Sequence, residues 1–272
     1  MNQYLDLVKT VLNNGIKRAN RTGVDTIMYF GYHYKVNLQD GFPLLTTKKV
    51  FFNSVIHELL WYLKGETHIR NLRKHTKIWD AWTDESKNWE IGKMYGYQWV
   101  KWEKFSEDSV SGNINKTYIN QIQDVIDLIK DNPDSRRMVV TAWNPSVLNE
   151  IALPSCHAFF IFSVTNGKLN CHLTQRSGDI ALGIPFNLAC YAMLTQMIAQ
   201  ETNLKLGEFS HYINDAHIYE NHVEGLKEQL ARAPLSLPEL KITQKPFWDL
   251  EFEDFELLDY EHHPIIKFPV AV

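Results

Sequence analysis

Three cysteines occur in the sequence, Cys156, Cys171 and Cys190, and only the first stands in a setting suited to attack on a substrate. A free cysteine is more often a small buried hydrophobe. Cys171 shares its strand face with Leu169 and Leu173, and Cys190 lies in a long apolar run, so both read as core. Cys156 sits in Pro154-Ser155-Cys156-His157, just before an aromatic strand. That strand (158–164) and the next (168–174) flank Asn166-Gly167, the strongest two-residue hairpin signal. With a type I′ turn, residues whose numbers sum to 333 face each other. Cys156 then lies opposite Ser177, one step from Arg176, and a bulge would shift this register by one. A guanidinium beside a thiol favours thiolate, the nucleophilic form. His157 points to the opposite strand face from its neighbour, so it is poorly placed as a base for Cys156 and a thiol hydrolase is disfavoured.

Glu58 lies on an apolar helix near Val55, Trp61 and Tyr62. A desolvated carboxyl there is raised toward the range useful for proton transfer near neutral pH. Arginines gather in three turn-like contexts: Asn20-Arg21-Thr22-Gly23, Ser135-Arg136-Arg137 and Gln175-Arg176-Ser177-Gly178-Asp179. Guanidinium, hydroxyl and backbone N–H groups together hold phosphate. The formal net charge is −4, so these clusters suggest a dedicated anion site, and neither nucleic acid nor an anionic membrane is an expected partner. His217 and Tyr219 alternate along a strand-like run and point the same way. With His211 and His222 they show no metal-ligand spacing, and no thiolate pair supports one, so no metal is expected.

The elements that position these groups are partly legible. Apolar residues at helical spacing predict helices over 2–14, 52–72 and 118–131, the last stopping before Asn132-Pro133. Strands are expected over 27–37 and 138–143, and a long apolar helix, buried all round, over 186–202. Residues 103–117 are polar and aperiodic, hence an exposed excursion. Strands and helices mix without a βαβ rhythm, which predicts one α+β domain over 1–272 with a mainly antiparallel or mixed sheet. No apolar run reaches about 18 residues, the length of a membrane span. The N-terminal stretch contains Asp6 and no signal-peptide core, and the odd, scattered cysteines suit a reducing compartment. A cytoplasmic location is expected.

The runs LPSCHAFFIFSV, QRSGDIALGIPFNLACYAML, DAHIYENH and the terminal PVAV resemble those of the thymidylate synthases. NRTGVDT, DGFPLLTTKKVF, HELLWYLKGET, IWDAW, MYGYQW, PDSRRMVVTAWNP, FEDFEL and HPIIKFPVAV follow in that family's order along nearly the whole chain. The resemblance implies a single α+β domain whose large sheets pack back-to-back in a homodimer. It implies reductive methylation of dUMP by 5,10-methylenetetrahydrofolate, giving dTMP and dihydrofolate. By the same resemblance Cys156 adds to C6 of uracil, Glu58 orders water and relays protons at O4, and Tyr95 assists loss of the C5 proton. Arg21, Arg176 and Ser177, in the run that continues through Gly178 and Asp179, hold the dUMP phosphate, joined by Arg136 and Arg137 of the second subunit. Asn187 pairs with the uracil edge, and His217 and Tyr219 with the sugar hydroxyl. Asp179 also contacts the folate ring, Trp79, Trp82, Leu182 and Phe186 line the folate pocket, Phe51 approaches it, and Ala271-Val272 close over it.

The chemistry accounts for these residue types. Thiolate addition at C6 turns C5 into a carbon nucleophile, charge builds on O4, and Asn187 can donate and accept at once along the N3–H/O4 edge. Three positions depart from the family pattern: Ser155 stands where proline is frequent, Ile161 where glutamine is common, and Asn214 where glycine is usual. Asn214 is expected to keep a left-handed turn, and Ile161 to remove a polar contact under the site. Two rivals are a dUMP hydroxymethylase, which adds water in place of hydride, and a non-catalytic nucleotide- or RNA-binding protein. The PVAV tail argues against the first, and Cys156, Glu58 and Tyr95 together against the second.

Overall fold

Tyr4, Leu5, Leu7, Val8 and Val11 bury one face of the opening helix, α1 (Asn2–Asn14), in agreement with its spacing. A short strand β1 (Ile16–Arg18) leads through a turn to β2 (Thr26–Asn37). The computed structural model describes residues 1–271. Helix α2 (Phe52–Lys64) is shorter than its periodicity predicts: Gly65 takes a left-handed conformation (φ 58°) that ends it, while Ile69 and Leu72 stay buried beyond the stop. Then come α3 (Gly96–Val100), β3 (Trp102–Glu107) and β4 (Ile114–Ile119). The polar excursion is therefore a solvent-exposed antiparallel hairpin, β3 on β4, and not irregular chain. Its second strand absorbs Tyr118 and Ile119, so helix α4 (Gln121–Asp131) starts later than expected, where Asn120 Oδ1 accepts from the Gln123 N–H.

Strand β5 (Val139–Thr141) is followed by β6 (His157–Thr165) and β7 (Lys168–Asp179), the predicted hairpin. Helix α5 (Gly183–Glu201) is buried along nearly its whole length, as an all-round apolar helix must be, and packs between the sheet and α2. Strand β8 (Lys205–Tyr219), α6 (Val223–Leu230), β9 (Glu239–Ile242) and β10 (Phe255–Leu258) complete the chain, the last two pairing with each other. One six-stranded sheet runs β1-β2-β8-β7-β6-β5. Its neighbours are antiparallel except β7 and β8, which are parallel and joined through α5, so the sheet is mixed.

The ladder skips a rung at Gly31 between β2 and β8, and at Arg176 and Asn214 between β7 and β8. Gly31 supplies the left-handed residue at this level (φ 73°). Asn214 keeps a negative φ inside β8, so the expected left-handed turn there does not form; the break is carried by the neighbouring strand. Ile161 alternates with the buried Phe160 and Phe162 and so lies on the sheet face away from the core, not under the site. On that face His33 Nε2 and His172 Nδ1 each hydrogen-bond with the Ser210 hydroxyl, at 2.8 and 2.9 Å. Among the described residues no helix is long and apolar enough to cross a membrane.

Candidate active site

The β6–β7 hairpin turns through Asn166 (φ 51°) and Gly167 (φ 69°), and its rungs keep the expected sum down to Phe159↔Thr174. Between Phe159 and His157 the register shifts by one, and His157 faces Gln175. The bulge brings Arg176, not Ser177, to Cys156: the Arg176 N–H donates to the Cys156 carbonyl at 2.9 Å. The guanidinium then folds back, Nε donating to the Ser155 carbonyl at 3.0 Å and Nη2 to the Pro154 carbonyl at 2.5 Å. Nη2 also lies 3.6 Å from Cys156 Sγ. Cys156 lines a cavity of about 760 Å³. Cys171 and Cys190 are buried, and burial pushes the first up to about 12 and the second well above its ordinary value.

Tyr95 caps α3 with φ 34° and ψ −105°, a strained backbone for an aromatic residue. Its phenol oxygen accepts the Cys156 N–H at 2.8 Å, and its own N–H reaches Ser155 Oγ at 3.4 Å. Ser155, fully buried, thus supplies a contact that a proline could not. The next residue, Gly96, lies against the backbone of α2: an added Cβ would fall 1.9 Å from the Tyr62 carbonyl oxygen. Glu58, one turn before Tyr62, is buried in an aromatic wall with Trp79 and Tyr95, and Trp79 Nε1 donates to Glu58 Oε1 at 2.7 Å. Burial raises the Glu58 carboxyl to about 7, while hydrogen bonds from Trp79 and Tyr62 pull the other way.

Arg21, Arg176 and Ser177 line the cavity together with Arg18, Asn20 and Thr22. His217 and Tyr219 line it from β8, their rings edge-to-face at 5.3 Å, and His217 Nδ1 is 2.9 Å from Asp215 Oδ1. Gly178 does not reach the cavity surface; it packs under Ile184 and Ile213. Arg136 and Arg137 are exposed and line no part of this cavity, and the same holds for Phe51, which is 52% exposed. Asn187, near the start of α5, lines the cavity, and its Oδ1 accepts from Gln175 Nε2 at 2.9 Å.

The apolar part of the lining comes from Trp79, Trp82, Leu182, Phe186 and Ala271, joined by Ile78 and Val270. Asp179 Oδ1 accepts the N–H groups of Ala181 and Leu182 at 2.9 and 3.2 Å, which orders the entry to α5. His222 lies between Asp179 and the terminal segment, with Nδ1 3.7 Å from Asp179 Oδ1 and Nε2 2.7 Å from the Pro269 carbonyl. Lys48, which burial lowers to about 8, holds the Ala181 carbonyl and covers the Phe268 ring at 4.7 Å. The end of the chain is therefore tied to the cavity rim. Val272, expected to close over the folate, lies outside the described residues.

Sequence reasoning weighed His157 only as a base for Cys156 and Gln175 only as a neighbour of Arg176; both are buried and both line the cavity. Burial lowers His157 to about 4, and its ring packs 5.1 Å from that of Tyr95. A signal was present in β7: Leu169, Cys171, Leu173 and Gln175 alternate inward, and a polar residue closing an apolar face calls for a buried partner. Compared with models of known families, the chain matches the one described as thymidylate synthase over residues 2–272.

Proposed function

The chain belongs to the thymidylate synthase family, a family of methyltransferases, and on that premise we propose that it converts dUMP to dTMP by reductive methylation, with 5,10-methylenetetrahydrofolate as co-substrate and dihydrofolate as product. The observation that carries this reading is Cys156: of the three cysteines it alone lines the cavity, its sulfur beside Arg176 and its N–H held by Tyr95. Cys156 attacks C6 of uracil. Glu58 and the groups around it meet the charge that builds on O4, a role that a carboxyl near 7 can fill in either protonation state. Tyr95 takes part in removal of the C5 proton.

Arg21, Arg176 and Ser177 bind the phosphate, His217 and Tyr219 the sugar, and Asn187 the uracil edge. The aromatic lining of the cavity, with Asp179 and Ala271, receives the folate ring. Two stretches of the expected site lie apart from the cavity. Arg136 and Arg137 are assigned to the phosphate of a second subunit, so the working unit is a homodimer. Phe51, exposed and outside the cavity lining, is assigned to the approach of the folate.

The decisive experiment incubates the protein with dUMP and methylenetetrahydrofolate and weighs the nucleotide product. A nucleotide heavier by one CH2, a methyl in place of the C5 hydrogen, is expected together with equimolar dihydrofolate. Hydroxymethyl-dUMP would replace this reading with the hydroxymethylase, and an unchanged nucleotide would leave neither enzyme.

A further inference from the structure

Behind Asn187 runs a buried chain of four polar side chains contributed by three neighbouring strands and α5. Asn187 Oδ1 accepts from Gln175 Nε2 at 2.9 Å, Gln175 Oε1 meets His211 Nε2 at 2.9 Å, and His211 Nδ1 meets the Tyr34 hydroxyl at 2.8 Å. Gln175 Nε2 also donates to the Ser177 carbonyl at 2.9 Å. A backbone carbonyl can only accept, so the amide nitrogen of Gln175 must face it, and Oε1 must face His211. His211 therefore carries its proton on Nε2 and offers the Nδ1 lone pair to Tyr34, whose hydroxyl donates. Each member is buried, His211 completely, so a reversed Gln175 would set its amide nitrogen against the His211 N–H and its oxygen against the Ser177 carbonyl.

From this geometry we propose that Tyr34 and His211, the far end of the chain, are positioning residues that hold the Asn187 amide in one orientation and so set the preference for uracil over cytosine. The inference rests on the reading of Asn187 as the base-pairing residue. In the held orientation Oδ1, already taking the Gln175 N–H, keeps a lone pair for the N3–H of uracil, and Nδ2 is left to donate to O4. Cytosine presents an acceptor at N3 and an amino group at C4, which calls for the opposite amide orientation. That flip would set the Asn187 amide nitrogen against the Gln175 amide nitrogen. Gln175 can yield only by turning Oε1 onto the Ser177 carbonyl and by moving the His211 proton to Nδ1, where the Tyr34 hydroxyl would have to accept and its own proton would lose the His211 acceptor.

The test compares wild type with Tyr34→Phe, which removes one oxygen from the end of the chain and touches neither nucleotide nor Asn187. The ratio of kcat/KM for dUMP over dCMP should fall about fivefold, the size of one neutral hydrogen bond, chiefly through KM for the two nucleotides. A role in packing alone would lower the unfolding temperature and leave that ratio unchanged, which overturns the proposal. The ¹⁵N resonances of wild-type His211 are an independent check that needs no variant: protonation at Nε2 is expected, and protonation at Nδ1 overturns the proposal. A wild type without preference for dUMP sinks the reading of the site and this inference with it. A wild type that prefers dUMP, beside a Tyr34→Phe protein of undiminished preference, sinks this inference alone.

Discussion

Arg176 Nη2 lies 3.6 Å from the sulfur of Cys156 and donates at the same time to the carbonyl of Pro154, two residues before that cysteine. The cation is bonded to the stretch of backbone that carries the thiol. Its position beside the sulfur is thus fixed by local geometry, through the register shift at the end of β6.

Loss of the Cys156 sulfur should therefore separate binding from turnover. Cys156→Ser keeps the phosphate and base contacts and should still bind dUMP in calorimetry, yet lose turnover by several orders of magnitude, since a serine hydroxyl stays protonated. Cys171→Ser and Cys190→Ser, assayed per mole of folded protein, should stay active because both thiols are buried and held protonated. Substantial activity in Cys156→Ser, with loss in either of the others, would move the nucleophile elsewhere.

Glu58 should leave a signature in stability against pH. Its carboxyl rises from 4.5 to about 7 on folding, so between those values the folded protein holds a proton that the unfolded chain releases. Stability contributed by this group accordingly falls as pH rises through that window, and above it the fold carries an ionised, desolvated carboxylate. The penalty is roughly 3 kcal/mol for a shift of this size. Glu58→Gln preserves the shape and an acceptor for Trp79. Urea unfolding should find it more stable than wild type by roughly that amount near pH 8 and equal near pH 4. A gain that does not vary with pH would count against the burial argument.

The exposed Arg136 and Arg137 make assembly testable. A Cys156→Ser subunit and an Arg136→Ala subunit should each be inactive alone. After subunit exchange each mixed dimer has one intact site, because the first supplies the arginine and the second the cysteine. Equal mixing should restore about a quarter of wild-type activity, half the dimers being mixed with one of two sites competent. A fully active monomer in sedimentation would contradict the shared site.

The local signals in the sequence were the reliable ones. The spacing of Tyr4, Leu5, Val8 and Val11 placed α1, and Asn166-Gly167 placed the hairpin with Cys156 at its far end. Helix ends were less legible: periodic apolar residues run on past Gly65 because Ile69 and Leu72 are core residues in a loop, and Ile119 begins the same spacing from within β4. The chain Tyr34-His211-Gln175 could not be seen in advance because its members come together only when β2, β8 and β7 lie side by side. The roles assigned to Glu58 and Asn187 came from resemblance. Apolar surroundings already suggested that Glu58 would be raised, and the structure adds Trp79 as its partner.

Strand order has a consequence for how the protein is made. β2 finds its long-range neighbour only in β8, with Tyr34 and His211 separated by 177 residues of chain. On the ribosome, β2 must therefore wait with one edge unpaired while the ribosome adds those residues, on the order of ten seconds of elongation or more. Arg21, in the turn that leads into β2, cannot take its place at the cavity before then. A nascent chain arrested after α5 has made Cys156, Arg176 and Asn187 but lacks the strand between β2 and β7. It exposes two open sheet edges, the kind of surface that chaperones hold and that aggregates when they do not.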